Sequence, residues 1–73
     1  MNDLDRWAET SDEKLYEYAK DWASRFTLKQ LRAFQQSYIC SIHKSSIDSH
    51  IKGLNNMWQC CTYAISIREF PED

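Results

Sequence analysis

The chain has 73 residues, enough for one domain, and carries 11 acidic against 9 basic side chains for a formal net charge of −2. It holds a single Gly and a single Pro; tight turns, β-hairpins and glycine-rich phosphate loops need those residues, so the scarcity excludes such folds and points to an all-α chain. Three Trp, four Tyr and three Phe are much bulk for the small core that so short a chain can build, and part of that bulk is expected to face a partner.

Residues 1–9 form an acidic arm whose apolar members are Leu4, Trp7 and Ala8, with Trp7 placed to pin it to the body. Thr10 followed by Glu13 reads as a capping box, in which the hydroxyl takes one orphan backbone N–H and the carboxylate reaches back to another. It predicts a helix over 11–25, with Leu15, Tyr18, Ala19, Trp22 and Phe26 on one face. A second capping box, Thr27 with Gln30, follows at once, and Phe26 is placed to staple onto Leu31. The helix it opens, over 27–44, carries the seam Leu28, Leu31, Gln35, Tyr38 and Ile42, with Gln35 as the polar member that would set register or partner choice.

Two places could end that helix. His43-Lys44-Ser45-Ser46 interrupts the apolar stripe, and Ser46 would cap a new helix. Alternatively Lys52-Gly53 is a C-terminal cap, and Asn55 or Asn56 starts the last helix. Ile47, Ile51, Leu54, Trp58, Cys61 and Ile65, spaced four, three, four, three, four, run as one heptad row through Gly53 and favour the first break. A mid-helix Gly then costs roughly 1 kcal/mol against Ala. The last helix is expected over 46–69, stopping before Pro71, with a short acidic tail at 71–73.

The expected architecture is a helical hairpin with a short N-terminal helix folded across it, forming one domain over 1–73. The last helix, roughly 36 Å long at 1.5 Å per residue, outruns its partner. Its far end, with Tyr63, Ile65, Ile67 and Phe70, has no evident cover within the chain. This argues for a homodimer with a four-helix core, whose interface, or that of another protein partner, would draw on Gln35, Tyr38, Ile51, Leu54, Trp58, Tyr63, Ile65, Ile67 and Phe70. Trp22, Phe26, Phe34, Tyr38 and Trp58 fall at helical spacings and are assigned to the core. Tyr16, Tyr63 and Phe70 lie off the main seams, where large aromatics favour a protein interface.

Charge is segregated. Residues 1–24 carry seven carboxylates against Arg6, Lys14 and Lys20, whereas 25–68 carry six basic residues against Asp48 alone. An acidic first helix lying against a basic hairpin would account for this. The alternative is a nucleic-acid face using Arg25, Lys29, Arg32, Lys44 and Lys52. Phe26-Thr27-Leu28-Lys29-Gln30-Leu31, with Phe34 and Tyr38, resembles the opening of the first homeodomain helix, but no aromatic-Asn-Arg recognition helix follows and no residue role carries over.

Chemistry has few candidates. Cys40, Cys60 and Cys61 are an odd number with two adjacent, a poor arrangement for pairing, and Cys40 and Cys61 are expected as small core residues. Cys40 and His43 share a helix face, but with His50 and Cys60 they lack the usual zinc-ligand spacing, and no Asp or Asn is placed to orient His43 for nucleophilic catalysis. Paired carboxylates at Asp12-Glu13 and Glu17-Asp21 suit a helix start and a solvated face. No catalytic residue, metal site or cofactor is expected. No apolar leader follows Met1 and no apolar run is long enough for a membrane, so a cytoplasmic protein with reduced thiols is expected.

In size, helical capping and Trp- and Cys-rich composition the chain resembles the small early-region accessory proteins of temperate lambdoid phages. The resemblance implies an intracellular dimer that binds a host or phage protein, at the lysis–lysogeny decision or as an inhibitor of a host defence complex. The expected function is therefore a non-enzymatic, protein-binding regulator.

Overall fold

The computed structural model describes residues 3–70 and is all-α: α1 (Asp3–Ala8), α2 (Asp12–Arg25), α3 (Leu28–Lys44) and α4 (Asp48–Glu69). The expected tail at 71–73, its Pro71, and the first two residues of the arm lie outside the described residues. α3 and α4 form the hairpin. α1, α2 and α3 each bring their backbones against α4 and only sparsely against one another. The last helix is therefore the hub on which the other three are laid.

The helix ends follow local chemistry, with two displacements. Ser11, not Thr10, caps α2, its hydroxyl accepting from the Lys14 N–H at 3.4 Å. The Thr10 hydroxyl instead donates to the Arg6 carbonyl at 2.8 Å and closes the end of α1. A carbonyl four residues behind competes for that hydroxyl, and only the presence of α1 supplies it. At α3 the capping box forms: Gln30 N–H donates to Thr27 Oγ1 at 3.2 Å, and Thr27 N–H donates to Gln30 Oε1 at 3.0 Å. The hairpin break falls between Lys44 and Asp48, and Gly53 lies within α4. Ser46 is not the cap of α4; Ile47 occupies that position without a side-chain bond, and its N–H donates to Ser45 Oγ at 3.4 Å.

Small residues fill the centre. The continuous core is Leu15, Ala19, Ala23, Leu31, Cys60, Cys61 and Ala64. Compact side chains let helices approach closely, so the large rings cannot sit between them. Trp22, Phe26, Phe34 and Tyr38, expected in the core, are only partly buried and pack around it. They belong to an edge-to-face series in which Trp7 meets Tyr18 at 5.5 Å and Trp22 at 5.7 Å, Trp22 meets Phe26 at 6.2 Å, and Phe26 meets Phe34 at 5.1 Å. These quadrupole-matched contacts tie α1 to α2 and α2 to α3.

α4 is buried along two rows. Of the expected row Ile47, Ile51, Leu54, Trp58, Cys61 and Ile65, Ile47 at the helix start is 51% exposed and the others are buried or half-buried. Beside this row Gln35 Nε2 of α3 donates to Thr62 Oγ1 at 2.9 Å, and that hydroxyl donates to the Trp58 carbonyl at 3.0 Å. Gln35 thus fixes the register of α3 on α4. A second row, Gly53, Asn56, Cys60, Tyr63 and Ile67, is spaced three, four, three, four and adjoins α1 and α2. The two rows explain why vicinal Cys60 and Cys61 are both fully buried.

α1 docks at the near end of the second row. A β-carbon at Gly53 would overlap the Leu4 carbonyl oxygen and lie 3.0 Å from the carbonyl carbon, so only glycine lets the α1 backbone come so close. Asn56 Nδ2 then donates to the Trp7 carbonyl at 2.6 Å, satisfying a helix-end acceptor.

Candidate protein-docking groove

At the far end of the second row, α2 and α4 border an open groove of about 310 Å³ lined by Tyr16, Lys20, Tyr63, Ser66, Ile67 and Phe70. Tyr16 projects from the side of α2 beside the buried stripe of Leu15 and Ala19 and remains 39% exposed. Its ring meets the Tyr63 ring edge-on at 5.8 Å. Lys20, one helical turn after Tyr16, holds its ammonium 4.9 Å from the Tyr16 ring centroid. Phe70, the residue at which α4 ends, is 73% exposed. The groove continues along α2 into a rim of Asp12, Glu13 and Glu17.

The three aromatics that sequence spacing sets apart from the seams thus line one groove. The α4 end is not uncovered as expected, however. Tyr63, Ile65 and Ile67 pack against the chain's own core, leaving Phe70 as its exposed large apolar residue. The remaining expected interface residues, Gln35, Tyr38, Ile51, Leu54 and Trp58, are half-buried or buried within the described chain. Gln35 is engaged with Thr62, Leu54 is 9% exposed, and the Trp58 indole nitrogen is buried. Lys20 and Ser66 are groove residues that the sequence does not single out. The spacing of four between Tyr16 and Lys20 was the available signal for the former.

The basic residues of the candidate nucleic-acid face are spread over three helices, Arg25 on α2, Lys29, Arg32 and Lys44 on α3, and Lys52 on α4. Arg25 pairs with Asp21 at 3.2 Å on the same helix, and Arg32 pairs with Glu69 across the hairpin. Lys29 and Lys44 are exposed at opposite ends of α3, roughly 22 Å apart at 1.5 Å per residue, and Lys52 is exposed on α4. The acidic α2 lies against α4 of the basic hairpin, as expected from the charge segregation, but neither ion pair joins the two among the described residues.

The thiols divide differently from expectation. Cys40 is exposed rather than in the core, while Cys60 and Cys61 are buried. Burial, with a smaller contribution from Cys61, pushes the Cys60 thiol from 9.0 to about 12, and burial alone raises Cys61 to about 12. The Tyr38 phenol is lifted from 10.0 to about 12 by burial first, then by Cys61 and Cys60. Such thiols are poor nucleophiles at neutral pH. Among the described residues no group of three His, Cys, Asp or Glu side chains is placed to hold a metal ion, and no helix is long and apolar enough to cross a membrane.

No protein-family model, curated protein or solved structure matches this chain. Its functional reading rests on the residues and their arrangement.

Proposed function

We propose that this chain is a non-enzymatic, cytoplasmic regulator that acts by binding another protein, and that the α2–α4 groove is where it binds. The observation that carries the reading is the convergence of Tyr16, Tyr63 and Phe70 on one open groove. Accessible aromatics clustered on a helical surface are the kind of feature from which protein interfaces draw their binding energy. The setting that fits is the one implied by the resemblance to temperate-phage accessory proteins: a small intracellular protein whose target is a host or phage protein, host defence complexes included. The alternative of a nucleic-acid regulator loses support from the pairing of Arg25 and Arg32. A homodimer would use the same groove, because Phe70 is what the α4 end leaves exposed.

Photo-cross-linking in the producing cell tests this. A benzophenone side chain at Phe70 or Tyr16 should trap one protein species, and the same group at Lys29 should not. Equal trapping from Lys29, or none from the groove, would defeat the proposal.

A further inference from the structure

We propose that the occupant of the α2–α4 groove is a short cationic segment of the partner protein, carrying an apolar anchor and, beside it, a Lys or Arg. This inference rests on the docking reading above and specifies its ligand. The groove floor is apolar and aromatic, from Tyr63, Ile67 and Phe70, and accepts an aliphatic or aromatic anchor. Its α2 side carries three carboxylates, Asp12, Glu13 and Glu17, against the single base Lys20. Asp21, the next carboxylate on α2, is engaged with Arg25, but among the described residues neither ion pair, Arg25–Asp21 or Arg32–Glu69, draws on these three. An incoming cation therefore finds an acidic rim that the fold has left to solvent, whereas an acidic segment would be repelled.

Lys20 already marks the seat for a cation. Its ammonium, over the Tyr16 ring, shows that the ring face at the groove edge is presented to positive charge. Lys20 also competes with the partner for that face. Extent favours a peptide over a second copy. From Asp12 to Lys20, α2 runs only about 12 Å, and α4 from Tyr63 to Phe70 about the same, at 1.5 Å per residue. That spans two turns of a bound helix. A stable dimer needs roughly 800 Å² from each partner, about 15% of the 5288 Å² this chain exposes and more than a groove of this length offers.

The experiment is selection of a randomised twelve-residue peptide library, displayed on ribosomes, against the full chain, followed by titration of the enriched peptides. The variants are Phe70→Ala, Glu17→Lys and Lys20→Met, all at exposed positions, each checked for an unchanged thermal melt. Enriched peptides should combine Lys or Arg with apolar anchors. Affinity should fall at least about tenfold in Glu17→Lys and in Phe70→Ala. It should rise up to about fivefold in Lys20→Met, because a competing cation is removed. Groove-dependent peptides without cations, or weaker binding by Lys20→Met, would overturn the cationic ligand and leave the docking reading standing. A Phe70-dependent dimer in sedimentation would overturn it in favour of a second copy. Peptides indifferent to Phe70→Ala, or no enrichment at all, would overturn both readings.

Discussion

Single residues in α4 are chosen for what lies opposite them. Gly53 is the clearest case. In an isolated helix, replacing it with Ala would gain roughly 1 kcal/mol. Here the new methyl meets Leu4 backbone, which cannot swing aside as a side-chain tip would. Gly53→Ala should therefore destabilise the protein, by about 1–3 kcal/mol, in urea unfolding. A gain in stability would show that α1 does not dock as described.

Cys60, Cys61 and Tyr38 make a second residue-scale prediction. Their raised values mean that the folded chain keeps protons that the unfolded chain releases, starting near pH 9. Stability from these groups is thus fully present below pH 9 and is lost as pH rises toward 12. Urea midpoints should be flat from pH 7 to 8.5 and then fall. The double variant Cys60→Ala, Cys61→Ala should be less stable at pH 7, yet show a shallower alkaline decline. An equally steep decline would assign the effect to other groups. Thiol labelling in native buffer should modify Cys40 alone, with Cys60 and Cys61 reacting only after unfolding.

At the scale of elements, two side-chain bonds hold helices in register. Gln35 and Thr62 are partners across the hairpin. Gln35→Leu alone leaves the Thr62 hydroxyl its bond to Trp58 and should cost about 1 kcal/mol. The pair Gln35→Leu, Thr62→Val should recover part of that loss, because both polar groups are then removed together. A double-mutant cycle with no coupling would show that this bond contributes nothing. Asn56 does for α1 what Gln35 does for α3, by meeting the Trp7 carbonyl. Asn56→Leu should loosen α1 selectively, seen as faster amide exchange in residues 7–10, whose N–H groups are bonded within the helix and at its end, with α2 and α3 still protected. Uniform acceleration throughout would mean that α1 is not a separable unit.

At the scale of the molecule, the hub arrangement governs cooperativity. Since α1, α2 and α3 all lie on α4, a chain ending after α3 should lose most of its helical circular dichroism, although it keeps three of the four helices. A chain lacking 1–9 keeps the hub and should still melt cooperatively, at a lower temperature. If the shortened 1–46 chain retained native helicity, α4 would not be the organising element. The elongated outline, 40 × 22 × 16 Å, follows from laying shorter helices along one long one.

The sequence by itself determined the helical class and the Thr27–Gln30 cap, favoured the break between α3 and α4 over one at Gly53, and laid out the apolar rows whose members Leu31 and Leu54 are buried. Those features are local, or consist of apolar side chains at a fixed period, and both signals are legible along the chain. It also set Tyr16, Tyr63 and Phe70 apart from the seams, but could not place them in one groove or supply Lys20 and the acidic rim beside them. Only the tertiary structure decided the second row of α4, and with it the seat of α1, the burial of Cys60 and the covering of Ile67. The reason is physical. Gly53 is needed for the absence of a side chain and Asn56 for a bond to a carbonyl 49 residues away. Hydrophobic periodicity registers neither, because each acquires its role only when another helix's backbone lies against it.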